Sequence, residues 1–555
     1  MKKILVVILL LTGCSEIPVS GPVNSGLDIT NSNRPVTDSE FIAQGPWPGM
    51  SKAEIVKGFL ASHSSTVGDY SIARSYLSSV IATEWLPLAS IQVFDVGLSV
   101  EEGNGDTVTV SGNRKLFLDE NFRPTLNPLP VRQEISLLLV LEQGEWRIIN
   151  PPSGLILNNS DFQRVFELVP IWFVDKQELR LVPDFIAMWQ QYDSAIQLVR
   201  ALTYGSSNWL RPAVTNFLSP ENIGGLISIK RDQEKIIVDM DATVLRLDER
   251  KRILLLSQLA QSLHGVSDVT QLEVTVGGQL LTGNGITNPL SIEDGTWFAQ
   301  RNVKATTVYA ISTTNDLIQP SSGLQVNSWL SQVSGPSSLT IASDEQRIAV
   351  WVPEKSEILV GYRTQNPRTI RQSAAITGIN FDSNGTLWYL DTFNNTFYGF
   401  DGTDIKSTEV NITSTGNLTH AMVSPDNIRV AIITQAGSTS ELNIMRLVRT
   451  NQGISLKDPL RITEISGSIN DIDWLSSTQV VTLVRIANQS EFVAVIVDLA
   501  TAAQTVVRLP AGTQSLDANG FAKFVVVDNE LRIWERVTNT WEQIGTGRSA
   551  TFARQ

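Results

Sequence analysis

The sequence predicts a multidomain protein in which two α+β domains are followed by an all-β propeller. Helical apolar periods and strand-like runs alternate through the first half of the chain, whereas residues 300–555 show almost no helical period. In that second half, Asp344, Asp382 and Asp426 occupy equivalent turns and lie 38 and 44 residues apart. The 555 residues are enough for several domains, and 42% hydrophobic with 18% charged residues is typical of globular proteins.

The N-terminus carries the pattern of a bacterial lipoprotein signal. Lys2 and Lys3 precede an apolar run that is too short to span a bilayer, and this run ends in Leu11-Thr12-Gly13-Cys14. We therefore predict a signal peptide at 1–13, cleavage between Gly13 and Cys14, and lipidation of Cys14, the only cysteine in the chain. Stable anchoring takes at least two signals, and a diacylated Cys14 with a third acyl chain on its freed amine, palmitate among the chains, would meet that requirement. We expect the mature protein at the cell membrane, lipid-anchored on the extracytoplasmic face.

Residues 14–45 are rich in Ser, Asn, Pro and Gly and lack an apolar period, which predicts a flexible tether between the lipid and the first domain. A disordered binding tail would have a similar composition. The net charge is −13, and removal of Lys2 and Lys3 with the signal peptide leaves −15. Such an acidic chain is not expected to bind nucleic acid.

Residues 46–160 are predicted to form an α+β domain with a curved, cone-shaped sheet around a helix. Ser51 and Glu54 make a capping-box pattern, and Ile55 and Phe59 then mark one face of the first helix. A second helix is expected from near Asp69. The predicted strands are Ile91–Val96, Thr107–Val110, Lys115–Leu118, Glu134–Leu141 and Trp146–Asn150.

Residues 161–299 are predicted to form a second α+β domain, in which helices and strands interleave. Phe166–Phe173 and Glu178–Pro183 form a hairpin pattern that leads into a helix with Ala195, Val199 and Leu202 on its apolar face. The later predicted elements are a strand at Lys235–Asp239, a long helix capped by Asp248, a strand at Val269–Val276 and a hairpin turn at Gly277-Gly278.

Residues 300–555 are predicted to form a β-propeller of five or six blades, because a strand–turn–strand pattern recurs at the spacing of a blade. A pair of β-sandwiches is the alternative. A closed ring leaves no exposed edge, so we expect Thr307–Ile318 and Leu531–Trp541 to share one blade. Repeats of the pattern begin at Leu339, Ile376, His420 and Ile472, with a last variant at Ala522.

No motif of a known catalytic class is present, so we expect no enzyme activity, no cofactor and no metal site. His63, His264 and His420 are far apart in sequence, and helix-surface or capping positions explain the first two. Asp239 and Asp241 are spaced like paired carboxylates, but a solvated strand face or a turn is the simpler interpretation. Asp382-Ser383-Asn384-Gly385 resembles part of a calcium loop, yet Asn-Gly between apolar strands is a hairpin signal.

Several segments together resemble the LpqB family of actinobacterial lipoproteins. The second domain is similar to a GerMN domain, and the third to the propeller of that family. The segments that carry the resemblance are Leu11–Cys14, Ile17–Val23, Leu198–Leu202, Leu259–Leu263, Val274–Gly278 and Ser424-Pro425-Asp426. The resemblance implies an accessory protein of the MtrA–MtrB two-component system, which contacts the ectodomain of the sensor histidine kinase MtrB and influences cell-wall metabolism and division.

Two other functions remain open from the residues. A cell-wall glycan-binding protein or hydrolase would place carboxylates across a cleft, with a raised pKa on one of them. The 13 tryptophans could bind glycan if they cluster at the surface, although scattered tryptophan is more typical of a core. A structural scaffold of the envelope is the third possibility.

We predict that Cys14→Ser abolishes incorporation of a radiolabelled fatty acid and leaves an uncleaved precursor, because the lipid on the thiol normally precedes cleavage. Gel mobility and label counting read both effects, with Ser15→Ala as the control that keeps the thiol. A wild-type protein without label would contradict the predicted anchor.

Overall fold

A computed structural model describes residues 43–65, 69–95, 97–125, 131–219, 225–295, 307–450, 452–486, 491–520 and 522–554. All of them belong to a compact unit that spans residues 40–555. The predicted signal peptide, Cys14 and almost all of the predicted tether lie outside the described residues, and so does the predicted boundary at residue 299.

The first group of elements packs short helices against a mixed sheet. They are α1 (Lys52–Ser62), α2 (Ser71–Ser75), α3 (Ser79–Glu84), β1 (Ile91–Phe94), β2 (Ser99–Glu102), β3 (Thr107–Leu118), β4 (Val131–Glu142), β5 (Glu145–Ile148) and β6 (Leu155–Asn158). The strand order is β5-β4-β3-β1-β6, with β2 paired to β3. The two strands predicted within residues 107–118 are one strand.

The predicted capping box begins α1. Ser51 Oγ accepts the Glu54 N–H at 3.3 Å, and the Glu54 carboxylate accepts the Ser51 N–H at 2.8 Å. The helix then buries Ile55, Val56 and Phe59 against the sheet. A cap of this kind stabilises a helix by about 1 kcal/mol, so the local sequence specifies where the first core helix starts.

The second group interleaves helices with two sheets. Its elements are α4 (Asn159–Val165), β7 (Phe166–Asp175), β8 (Leu181–Trp189), α5 (Ser194–Thr203), β9 (Val214–Thr215), β10 (Leu226–Asp232), β11 (Lys235–Met240), α6 (Glu249–Leu263), β12 (Gln271–Val276), β13 (Gln279–Leu280), β14 (Leu290–Ser291) and α7 (Ile292–Gly295). The strand orders are β8-β7-β9 and β10-β11-β12-β13, with β14 on β12. The predicted hairpins at β7–β8 and at Gly277-Gly278 are confirmed.

The described residues after 307 form six four-stranded sheets, which we number as blades 1 to 6. Blade 1 contains β15 (Val308–Ile311), β16 (Leu317–Gln319) and β17 (Leu324–Val326); blade 2 contains β18 (Ser338–Ile341), β19 (Arg347–Val352), β20 (Glu357–Tyr362) and β21 (Arg368–Gln372); blade 3 contains β22 (Ile376–Phe381), β23 (Leu387–Asp391), β24 (Thr396–Phe400) and β25 (Ile405–Glu409).

The remaining blades follow the same order from the innermost to the outermost strand. Blade 4 contains β26 (Asn417–Val423), β27 (Arg429–Ala436), β28 (Thr439–Thr450) and β29 (Gly453–Ser466); blade 5 contains β30 (Ser468–Ser476), β31 (Gln479–Arg485), β32 (Phe492–Asp498) and β33 (Gln504–Arg508); blade 6 contains β34 (Thr513–Ala518), β35 (Phe524–Asp528), β36 (Arg532–Val537) and β37 (Thr540–Thr546). The all-β propeller predicted from the repeats is confirmed.

The ring closes through the last strand, β38 (Arg548–Phe552), which pairs with β15 and is the innermost strand of blade 1. The expectation that Leu531–Trp541 shares a blade with the first strand was therefore wrong, because those residues lie in blade 6. The last predicted repeat was also out of phase by one strand. It covers β35 and β36, whereas the innermost strand of blade 6 is β34 and the equivalent turn lies between β34 and β35.

A polar side chain links the innermost strand of each blade to the next blade. Ser549 Oγ accepts the Leu339 N–H, Thr340 Oγ1 accepts the Phe381 N–H, Thr377 Oγ1 donates to the Thr419 carbonyl, His420 Nε2 contacts the Asn470 carbonyl, Asp473 accepts the Ala518 N–H, and Asp517 accepts the Phe552 N–H. These bonds supply partners for backbone groups that face the axis and have no neighbouring strand in their own sheet.

We predict that removal of residues 548–555 destabilises the whole propeller, because it removes the innermost strand of blade 1 and the partners of Asp517. Hydrogen exchange in β15, β18 and β34 should be faster in the truncated protein than in the full-length protein, and in all three strands together. Val506→Ala, at an exposed position of blade 5, is the control. Loss of protection confined to β15 would contradict a closed ring.

Candidate functional site

The three histidines lie in separate places and share no site. His63 is the C-cap of α1, which confirms the capping position of the two that were expected, and it is 1% exposed, so it does not lie on the helix surface. Its Nδ1 accepts the Ile156 N–H at 2.9 Å, and burial lowers its pKa to about 4. His264 is the C-cap of α6. Burial also lowers the pKa of His420 to about 4, and its contact across blades 4 and 5 is structural.

The two aspartates that were considered as a catalytic pair from the sequence accept backbone N–H groups instead. Asp239 accepts hydrogen bonds from Thr275 Oγ1 at 2.7 Å and from the Gly278 N–H at 3.0 Å, which lower its pKa. Strand β11 ends at Met240, so Asp241 does not share its face and instead caps a short 3-10 helix. Neither carboxylate has the raised pKa of a general acid.

Both carboxylate oxygens of Asp382 accept hydrogen bonds from other groups of the protein. Its Oδ1 accepts the N–H groups of Asn384 and Thr386, both at 2.9 Å, and its Oδ2 accepts Trp388 Nε1–H at 2.8 Å and Arg449 at 2.9 Å. This turn is the predicted hairpin and lacks the open oxygen ligands of a calcium loop. Within the described residues, no group of three or more His, Cys, Asp or Glu side chains is arranged to hold a metal ion.

Three aspartates and one arginine meet where the propeller ring closes. Arg554 donates to Asp473 Oδ1 at 3.0 Å and to Asp517 Oδ1 at 2.8 Å, and Asp471 accepts the Leu516 N–H at 3.0 Å. Burial raises the pKa of Asp471 to about 7 and that of Asp517 to about 8. Raised pKa values are the mark expected of a hydrolase, but these carboxylates are buried and accept backbone N–H groups of neighbouring inner strands.

We predict that Asp471 contributes a fall in the unfolding free energy of the propeller as pH rises from about 4 to 7, opposite in sign to the contribution of His420, because folded Asp471 keeps a proton that the unfolded chain releases near its ordinary pKa of 3.8. One such proton contributes about 1.4 kcal/mol per pH unit. Asp471→Asn should remove that part of the slope, as read by denaturant-dependent hydrogen exchange in β30 and β34. Exposed Asp404→Asn is the control, and equal slopes in all three proteins would contradict the assignment.

The second group of elements is fastened to the propeller by polar contacts, and the contact made by Arg429 is buried. Arg429, 4% exposed, donates to the Pro183 carbonyl at 2.6 Å and pairs with Asp426. Arg180 donates to Asn384 Oδ1 at 2.7 Å, and Trp209 Nε1–H to the Asp458 carbonyl at 2.8 Å. Asn384 lies in the turn after the innermost strand of blade 3, Arg429 begins β27 directly after the corresponding turn of blade 4, and Asp458 lies within β29. One end of the propeller is therefore partly covered.

The first group is fastened to the second in a similar way. Arg123, 3% exposed, donates to the carbonyls of Ala201 at 3.0 Å and Gly205 at 2.6 Å. The Ala187 N–H donates to the Phe122 carbonyl at 2.9 Å. Burial of a guanidinium is favourable only where acceptors meet it, so these contacts fix the geometry of both junctions.

The opposite end of the propeller carries the most exposed large hydrophobic side chain of the described residues, Phe393, which is 84% exposed. It lies in the turn between β23 and β24. Buried Asp391 shapes that turn by accepting the Phe393 N–H at 3.2 Å and an Asn394 amide hydrogen at 3.3 Å. Phe393, Arg123 and Arg429 were not among the residues predicted from the sequence. A phenylalanine beside the turn signal Asn394-Asn395 was visible in the sequence, whereas nothing local marks the two arginines.

Cys14 and Gly13, the predicted lipidation and cleavage residues, lie outside the described residues and stay predictions. In the part of the chain that the structure describes, no helix combines the length and the apolar character needed to cross a membrane.

Comparison with known proteins identifies the family. Residues 45–163 match the family model for the N-terminal domain of lipoprotein LpqB, and residues 317–552 match that for the lipoprotein LpqB beta-propeller domain. Lipoprotein LpqB of Cutibacterium acnes is 26% identical over 525 residues, which cover 86% of this chain and 84% of that protein. Lipoprotein LpqB of Thermobifida fusca is 22% identical over 544 residues and 85% of each chain. This chain belongs to the LpqB lipoprotein family.

Proposed function

We propose that this protein is a lipid-anchored accessory protein on the extracytoplasmic face of the membrane, and that it binds the ectodomain of a sensor histidine kinase. The resemblance to the LpqB family names that kinase as MtrB of the MtrA–MtrB system, with effects on cell-wall metabolism and division. The lipobox at Leu11–Cys14 supports the anchor. The partner itself is supported by the family resemblance and by a surface suited to protein binding.

The proposal rests mainly on the exposure of the Phe393 side chain at one end of the propeller. An aromatic ring that is 84% exposed loses contact with water only when a partner covers it. The hydrogen bonds to Asp391 hold the turn in one conformation, so binding would require little further ordering. Aromatic side chains presented in this way are typical energetic centres of protein interfaces.

The contacts at the two junctions fix the position of Phe393 relative to the two α+β groups. The second group covers turns at one end of blades 3 and 4, and Phe393 lies at the other end of blade 3. A partner at the open end would therefore meet a propeller whose orientation is fixed relative to the two α+β groups. A fixed orientation of this kind suits an accessory protein that positions a kinase ectodomain.

We propose no catalytic role. Asp239, Asp241 and Asp382 serve as caps, the histidines are separated, and the aspartates with raised pKa values are enclosed at the ring closure. Glycan binding is less well supported, because Trp388 and Trp474 are buried in blade cores. A scaffold of the envelope would use the same exposed surface, and the identity of the bound partner separates the two functions.

We predict that Phe393→Ser weakens binding of the mature protein to the MtrB ectodomain at least tenfold, the loss of about 1.4 kcal/mol expected for an interface centre. Surface plasmon resonance with immobilised ectodomain measures the change. The control is Tyr362→Ser, since Tyr362 is 49% exposed but lies at the other end of its blade.

Equal affinities for the two variants and the wild type would remove Phe393 from the interface. If wild-type protein does not bind the ectodomain, and the protein itself retains peptidoglycan strands when it is immobilised, the proposed partner would be a glycan and not the kinase.

A further inference from the structure

A second exposed apolar surface surrounds the tip of the β4–β5 hairpin. Trp47, Val80 and Leu141 are 52%, 64% and 56% exposed, and we call these three residues the hairpin-tip surface. Trp47 lies two residues before Gly49, whose N–H donates to Glu145 at 3.2 Å. Val80 follows Ser79, whose N–H donates to Glu142 at 3.1 Å. Leu141 precedes Glu142 on β4, so all three converge on one hairpin.

The charged groups at this surface already have partners. The Glu142 and Glu145 carboxylates each accept a backbone N–H, and the bonds from Ser79 lower the pKa of Glu142. The Lys52 ammonium lies 4.8 Å from the ring centroid of Trp146, which pairs with Leu141 across the hairpin. A tryptophan and two aliphatic side chains beside satisfied charges match the mixed polarity of a lipid headgroup region.

The position of the surface along the chain favours a bilayer over a protein as its occupant. Only 28 residues separate Cys14 from Ala43, where the described chain begins, and they span at most about 100 Å when fully extended. Trp47 follows four residues after Ala43. A lipid at Cys14 would keep this surface close to its membrane, and a tethered weak contact is populated through its high effective concentration.

We propose that the hairpin-tip surface rests in the headgroup region of the membrane that holds the Cys14 lipid. This inference rests on the lipid anchor of the proposed function. The contact would turn the hairpin tip toward the bilayer and restrict the orientations available to the rest of the protein, including the propeller.

The unique cysteine makes a direct test possible. Because Cys14 carries the lipid in the mature protein, Val80→Cys introduces a single reactive thiol for an environment-sensitive fluorophore. Val506→Cys, at a propeller valine that is 61% exposed, is the matched control. Each lipidated protein is reconstituted in phosphatidylcholine vesicles with or without brominated acyl chains. We expect brominated lipid to quench the probe at residue 80 at least twofold more than the probe at residue 506.

Flotation of the same vesicles separates the anchor from the contact. Protein that floats, with equal weak quenching at both positions, would overturn the contact while leaving the anchor intact. Protein that does not float would overturn both. A probe at residue 80 that is shielded from water without vesicles and unchanged by them would assign the surface to residues 15–42 of this chain and overturn the membrane contact. Leu141→Ser in the Val80→Cys protein should reduce quenching, which a merely nearby membrane would not explain.

Discussion

The hydrogen bonds between the inner strands of neighbouring blades are the constraint on which the propeller depends. Each blade is an antiparallel sheet whose innermost strand has a free edge toward the axis. Serine, threonine, histidine and aspartate side chains on these strands bond the backbone of the next blade at every one of the six junctions. Each of these hydrogen bonds requires two adjacent blades to be in place, so the ring depends on all six blades. The C-terminal strand β38 completes it.

The same constraint explains the buried acids near the end of the chain. Asp471, Asp473 and Asp517 accept backbone N–H groups from the following blade, and Arg554 compensates part of their charge. Burial raises the pKa of two of them, because one guanidinium cannot balance three carboxylates in a poorly solvated site. Groups that look like catalytic acids by pKa alone are thus part of the closure of the ring.

The arginines at the two junctions turn three groups of elements into one body. Arg123 and Arg429 are both at most 4% exposed, and each ends on backbone carbonyls of the neighbouring group. A hydrogen bond to a carbonyl oxygen is directional as well as attractive, so these bonds specify how neighbouring groups of elements are oriented. Such a body, with one propeller end partly covered and with apolar side chains near the start of the described chain, agrees with the proposed contacts to a membrane and to a partner protein.

The sequence by itself determined the local elements, the propeller class and the family. The Ser51–Glu54 capping box, the Gly277-Gly278 turn and the aspartate turns at 344, 382 and 426 act over a few residues, so their signals are complete in the sequence. Only the tertiary structure decided that β38 pairs with β15, that His63 is buried, and which end of the propeller the second group covers. Each depends on contacts between residues far apart in the chain, such as Val308 with Phe552 or Pro183 with Arg429, and no local pattern encodes such a partner.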